Sequence, residues 1–270
     1  EDGLLIDILI YAAVVIVACI LVINLVMLHK ARRIHLKTFE ILGAIRDLSS
    51  KHLHDQFRQI QALLALEKDL DLGAHLPPLR GWAASPDFLL ILMNYVKQRR
   101  PKTIVECSSG ASTVVLAKCL QRLGKGQVYS LEHDPVFAEK TRRFLAEAGL
   151  SDWATIIDAP LVEHLIGTET WQWYSLDCFP DVTIDMLVID GPPWFVSPLA
   201  RYPAGPMLFP RLASQGVVFC DDAVRDDEFR IMERWRVEWP RLGCTRYDTE
   251  KGTVLLQFHE ENDSVESSVG

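Results

Sequence analysis

Thr103-Ile-Val-Glu106-Cys107-Ser108-Ser109-Gly110-Ala111-Ser112-Thr113 is the stretch that decides the fold. A short β-branched run closes on an acid, Glu106. Small residues follow, and then Val114, Val115, Leu116, Cys119, Leu120 and Leu123 repeat at helical spacing. The pattern predicts a strand, a tight loop and a helix. Gly110 lets a ligand approach the loop backbone closely, because it has no Cβ. The first N–H groups of the helix would face that ligand. An ordinary βαβ turn with no ligand is the competing reading.

Further along, Gln127-Val-Tyr-Ser-Leu reads as a second strand with Glu132 at its carboxyl end. In a doubly wound sheet an acid about 20 residues beyond the loop holds ribose hydroxyls. A nucleoside ligand is therefore expected. A dinucleotide loop wants G-x-G-x-x-G, and only Gly110 is present, so a nicotinamide cofactor is disfavoured.

The rest of the chain alternates strands and helices, which argues for a parallel α/β sheet. Trp82-Ala-Ala-Ser85-Pro86 opens a helix, with Ser85 as N-cap and Pro86 at its first position, and that helix ends near Arg99-Arg100-Pro101. Pro135 to Gly149 is the next helix after the loop helix. Ala154-Thr-Ile-Ile is a third strand, followed by Asp158. Ile184 to Ile189 is a fourth, ending in Asp190-Gly191-Pro192-Pro193-Trp194. Gly216 to Cys220 is a fifth, ending in Asp221-Asp222. The aromatic run Trp171 to Phe179 falls in a connection, either beside the site or as a small satellite core. Asp226 to Trp239 is helical. Thr245 to Asp248, a turn at Glu250-Lys251-Gly252, and Thr253 to Phe258 read as a hairpin.

This order of features resembles the class I S-adenosylmethionine (SAM)-dependent methyltransferases, over about Gly81 to His259. The resemblance implies a Rossmann-like, mostly parallel sheet closed by a C-terminal antiparallel hairpin. It implies SAM bound by Glu106, Ser108, Ser109, Gly110, Ser112 and Glu132. It places Asp158 at the adenine, and Trp82 and Ser85 on a leading helix over the cofactor. Asp158 serves equally as a turn former, and Trp82 and Ser85 equally as packing and cap. Asp190, Asp221 and Asp222 are similar to the metal ligands of catechol O-methyltransferases, with Asp222 in place of an amide. Hard oxygen ligands point to Mg, Ca or Mn. Against a metal, Asp190 suits a turn, and Asp221 or Asp222 suits a helix cap. A hydroxyl acceptor needs a base, for which Asp190 is the candidate, with Arg201 and Tyr202 orienting the acceptor. The Asp-Gly-Pro-Pro and Arg-Tyr-Pro stretches also resemble small methyltransferases of polysaccharide modification. The expected acceptor is thus a hydroxyl on a glycan, a lipid-linked molecule or a small molecule. The alternative is a non-catalytic scaffold that has lost SAM.

Ahead of this domain, Leu4 to Leu28 is apolar apart from Asp7 and Asn24. As a helix these about 25 residues reach about 37 Å, enough to cross a bilayer with tilt. The run is too long for a signal peptide and follows Glu1-Asp2-Gly3 rather than a basic segment. Lys30, Arg32, Arg33 and Lys37 follow it, which puts the C-terminal side in the cytoplasm. The expected division is a transmembrane helix over 1–30, a helical stalk over 31–71, the methyltransferase domain over 72–259 and a disordered tail over 260–270. In the stalk, Ile41, Ile45, Leu48 and then Leu53, Phe57, Ile60, Leu64 follow interrupted coiled-coil spacing. The stalk pairs two copies as a homo-oligomer, folds back on the domain, or lies on the membrane. A net charge of −8 argues against a nucleic-acid partner. Six cysteines without a C-x-x-C pair read as reduced thiols.

Overall fold

A computed structural model describes residues 2–79 and 81–259 of the 270-residue chain. The expected disordered tail, 260–270, lies outside the described residues. The chain divides into two units, Glu1–Phe57 and Arg58–Gly270.

The first unit is helical, the greater part of α1, Asp2–Leu70. Its apolar side chains from Leu9 to Leu28 stand exposed along the helix. Over this length the helix is long and apolar enough to cross a membrane. Ile41, Ile45 and Leu48 are exposed as well.

The second unit begins inside α1, not at residue 72 as expected for the domain. The reason is packing: Leu66 and Leu70 are fully buried in the main core, and Leu72 joins them. Burying each such leucine contributes about 1.5–3 kcal/mol, so the last turns of α1 belong to the domain. Polar contacts pin the same turns. Gln59 Nε2 donates to Asp87 Oδ2 at 2.7 Å, and the other Asp87 oxygen accepts from Ser85 Oγ at 2.6 Å. Asp87 Oδ2 also accepts the N–H of Glu250 at 2.9 Å. One carboxylate therefore ties α1, the start of α2 (Pro86–Arg99) and the closing hairpin together.

The sheet follows. Its first three strands are β1 (Thr103–Cys107), β2 (Gln127–Glu132) and β3 (Ala154–Asp158), with α3 (Ala111–Leu123) and α4 (Pro135–Glu147) between them. Where a third crossover helix would be, the chain forms an antiparallel hairpin, β4 (Leu161–Ile166) and β5 (Glu169–Tyr174). Then come β6 (Ile184–Ile189), the short α5 (Ala204–Leu208), β7 (Leu212–Cys220), α6 (Asp226–Glu238), β8 (Leu242–Tyr247) and β9 (Thr253–Phe258). The seven-stranded order is β3-β2-β1-β6-β7-β9-β8; β9 alone runs against the others, pairing antiparallel with β7 on one side and β8 on the other. The crossing point of the topology lies between β1 and β6, and ligands in such sheets bind at that point, outside the strands' carboxyl ends.

Two cores cover the sheet. One holds α2, α3 and part of α4 against Ile104, Val128, Met186 and Val217. The other holds the hairpin's Trp173 and Tyr174, with Ile231, Met232 and Trp235 of α6, against Val105, Leu187 and Val218. The aromatic run around Trp171 is therefore strand rather than loop, and two of its members are fully buried.

Candidate functional site

At the carboxyl ends of β1, β2 and β6 lies a cavity of about 670 Å³. A volume of that order suits a nucleoside-sized ligand together with a small second molecule. Each wall traces back to a short stretch of sequence.

The floor is the loop Ser108 to Ser112. Gly110 is the N-cap of α3 with φ near +151°, a conformation side chains rarely adopt, and a Cβ there would meet nothing. The obstacle to a side chain at Gly110 is thus conformational, and the space above the loop is left open. Thr113 Oγ1 accepts the Gly110 N–H at 3.0 Å and donates to Glu106 Oε2 at 2.5 Å. Ser130 Oγ donates to the same oxygen at 2.9 Å. Glu106 is fully buried under the loop and does not line the cavity. Expected to touch cofactor, it is placed instead as the buried support of the loop. Burial raises its pKa to about 7, against the lowering pull of its hydroxyl partners. The other oxygen, Oε1, has no partner.

One side wall is Glu132. Its Oε2 accepts from Ser109 Oγ at 2.8 Å and its Oε1 from the Asp134 N–H at 3.0 Å, with His133 Nδ1 3.2 Å away. The carboxylate is thereby fixed beside the loop. Phe137, Lys140, Thr141 and Phe144 continue this wall along one face of α4. Asp134 sets that helix in place, capping its first turn by accepting the Val136 N–H at 2.8 Å. Sequence reasoning missed these four, although their i, i+3, i+4, i+7 spacing marks a single helical face.

Of the residues singled out in the sequence, Ser108, Ser109, Gly110, Ser112, Glu132, Trp82, Asp190, Arg201 and Asp222 line the cavity. Ser85, Asp158, Tyr202 and Asp221 do not. Ser85 is buried and spends its hydroxyl on Asp87. Asp158 sits on the edge strand and pairs with Arg142 at 2.7 Å. Tyr202 faces α6, where its hydroxyl donates to Glu238 at 2.6 Å and Arg234 stacks on its ring at 3.9 Å. Adjacent residues in the turn point opposite ways, so Arg201 enters the cavity wall and Tyr202 leaves it.

The mouth is aromatic. Trp82, Trp194 and Phe195 are 62%, 57% and 60% exposed. Trp82 meets Phe195 edge-on at 5.8 Å, and Phe195 meets Trp194 at 6.0 Å. Trp194 and Phe195 were not anticipated as site residues.

Another part of the wall is the acidic cluster, of which Asp190 and Asp222 line the cavity. Asp190, Asp221 and Asp222 bring oxygens within 4.8 Å of one another. Arg201, only 5% exposed, lies among them. Its Nη2 donates to Asp222 Oδ2 at 2.7 Å, to the Asp190 carbonyl at 2.8 Å and to Asp190 Oδ1 at 3.3 Å. Its Nη1 donates to the Asp221 carbonyl at 3.1 Å and lies 3.5 Å from Glu228. Arg225 adds a second contact to Asp222 at 2.9 Å. Burial raises Asp190 to about 6, although Arg201 pulls it down. Burial, reinforced by Asp190 and Asp222, pushes Asp221 well above the carboxylate range, toward its neutral form; neither of its oxygens has a partner. The three acids expected to hold a metal do meet, but the donor set does not fit a divalent ion as it stands. A guanidinium already engages two of the three carboxylates, Asp190 and Asp222.

Residues 105–223 match the family described as Methyltransferase domain. No curated protein matches in sequence. Among solved structures the fold is similar to an O-methyltransferase from Bacillus cereus in complex with SAH. That pair shares 17% identity over 77% of this chain and 97% of the other, with a TM-score of 0.53. Similar too are cofactor-bound Rv0187 from MTB (21% identity, 74% and 90% coverage, TM-score 0.51) and SAH-bound methyltransferase PaMTH1 from Podospora anserina (16% identity, 74% and 88%, TM-score 0.50). At these identities the likeness establishes the fold. The fold is a Rossmann-like sheet, and the family model covers its central part, from β1 to just beyond β7.

Proposed function

We propose that the protein is a membrane-anchored, SAM-dependent O-methyltransferase. The observation that carries the reading is Glu132 at the end of β2, held by Ser109 and Asp134 beside an open-backbone loop. That is where a ribose diol would bind. SAM brings its own leaving group, so the protein's task is to align an acceptor oxygen with the methyl. Asp190, which lines the same cavity, is the group to draw off the acceptor's proton, since a carboxylate raised toward neutrality is a stronger base than an ordinary one. Trp82, Trp194 and Phe195 line the entry through which a glycan, lipid-linked or small hydroxyl acceptor would pass.

The exposed apolar helix over residues 9–28 supports a bilayer anchor, because so large an unpartnered apolar surface is unstable in water. The basic residues after it support a cytoplasmic catalytic unit, where SAM is made. Pairing of copies through the exposed face of α1 beyond residue 31 belongs to the same proposal.

Calorimetric titration of the purified chain with SAM tests the cofactor. We expect binding, weakened by about 2–3 kcal/mol in Glu132→Ala through loss of two ribose hydrogen bonds. Absence of SAM binding to a folded chain would leave the scaffold reading in its place.

A further inference from the structure

We propose that Arg201 occupies the position of a divalent cation in this site, so that the chain binds no metal at the cluster, and that removing Arg201 uncovers a latent metal site. The inference rests on the reading of the cavity as a cofactor and acceptor site.

Three observations carry it. First, the guanidinium makes the links an ion would make. It bridges Asp190 at the end of β6 to Asp222 just beyond β7, and it also holds the backbone carbonyls of Asp190 and Asp221. Those contacts join the two strand ends whose carboxylates form the cluster. Second, it is built in rather than passing through. Arg201 is buried against Asp190, Asp222 and Glu228, and a surface arginine that swings in solution would not bury its charge so completely. Third, charge accounting leaves little pull for a cation. Arg201 and Arg225 both contact Asp222, and both approach Glu228. An added dication would sit against two guanidinium groups, in a low-dielectric setting where repulsion is strong.

Without Arg201 the geometry reverses its meaning. Three carboxylates would remain with their oxygens within 4.8 Å of one another, and both Asp221 oxygens are buried without a partner. Clustered oxygens of that kind select a hard cation.

The probe is Mn²⁺ alone, followed by electron paramagnetic resonance on the detergent-purified full chain, with Mg²⁺ as competitor. Wild type is expected to take up no stoichiometric Mn²⁺. Arg201→Met, which keeps an unbranched stem and removes the guanidinium with its charge, is expected to gain at least about tenfold in Mn²⁺ affinity. Adding Asp222→Asn to that variant should abolish the gain. Arg201→Lys retains a cation and should behave as wild type. Melting temperature checks that each variant is folded. Mn²⁺ bound tightly by wild type and lost in Asp222→Asn would overturn the proposal, and this arm holds even where Arg201→Met fails to fold. A folded Arg201→Met with no Mn²⁺ affinity would overturn it equally. SAM titration on the same samples separates a failure here from a failure of the cofactor reading.

Discussion

Glu106 turns the support of the loop into a pH-dependent quantity. In the fold its carboxyl titrates at about 7, against an ordinary 4.5, because it is fully buried. Below pH 4.5 both folded and unfolded chains hold this proton. Between the two values only the folded chain holds it, so stability falls as pH rises. The difference is worth about 3 kcal/mol, at 1.36 kcal/mol per pKa unit. Glu106→Gln removes the titration and keeps the shape. Its amide oxygen still accepts from Thr113 and Ser130, while its NH₂ replaces the unpartnered Oε1. A buried, unpartnered donor costs about 1–3 kcal/mol. The variant is therefore expected to be less stable than wild type by about 1–3 kcal/mol at pH 5, and the difference should shift in its favour by about 2.5 kcal/mol by pH 8, closing or reversing the gap. Urea denaturation followed by tryptophan fluorescence reads this directly, since all seven tryptophans lie beyond Phe57. A gap that stays constant from pH 5 to pH 8 would refute the buried-acid reasoning. SAM affinity of the folded variant should change by less than about tenfold, because Glu106 does not reach the cavity.

Gly191→Ala should destabilise the domain by about 1–3 kcal/mol, because the new Cβ collides with the Tyr174 hydroxyl and crowds the Cys107 carbonyl at 3.1 Å. Tyr174→Phe removes the closest clashing atom, so a double-mutant cycle of melting temperatures should show positive coupling; strictly additive losses would show that the hydroxyl is not the obstacle. For the anchor, membranes washed in alkaline carbonate should retain the full chain, and protease added outside sealed cells should spare residues 58–259. Release into the wash, or digestion from outside, would remove the bilayer proposal or invert its orientation.

What the sequence made legible was the part written in consecutive residues. Strand, loop and helix around Gly110 are contiguous, and acids at strand ends can be read from the pattern, so the ends of β2 and β6 at Glu132 and Asp190 were legible. What stayed hidden depends on which way a side chain points. Glu132 and Asp158 are register partners on neighbouring strands. Yet β3 is the sheet's edge, where Arg142 captures Asp158, and β2 is interior, where Glu132 is driven into the cavity wall. Arg201 and Tyr202 are consecutive, and one turn divides them between the acid cluster and α6. The hairpin β4–β5 was concealed for a related reason. In Trp171 to Tyr174 all but Gln172 are aromatic, so strict apolar–polar alternation is lost and the run does not declare a strand. Its consequence reaches the site, because the hairpin delivers Tyr174 to the underside of Gly191. Gly191 must accordingly stay small for a reason supplied by a residue 17 positions earlier. The same logic governs the carboxylates. Three acids at two strand ends look like a metal site until the crossover between those strands is folded, and it is that crossover which inserts Arg201. Composition alone could count the charges, but only the fold shows which cation the acids already hold.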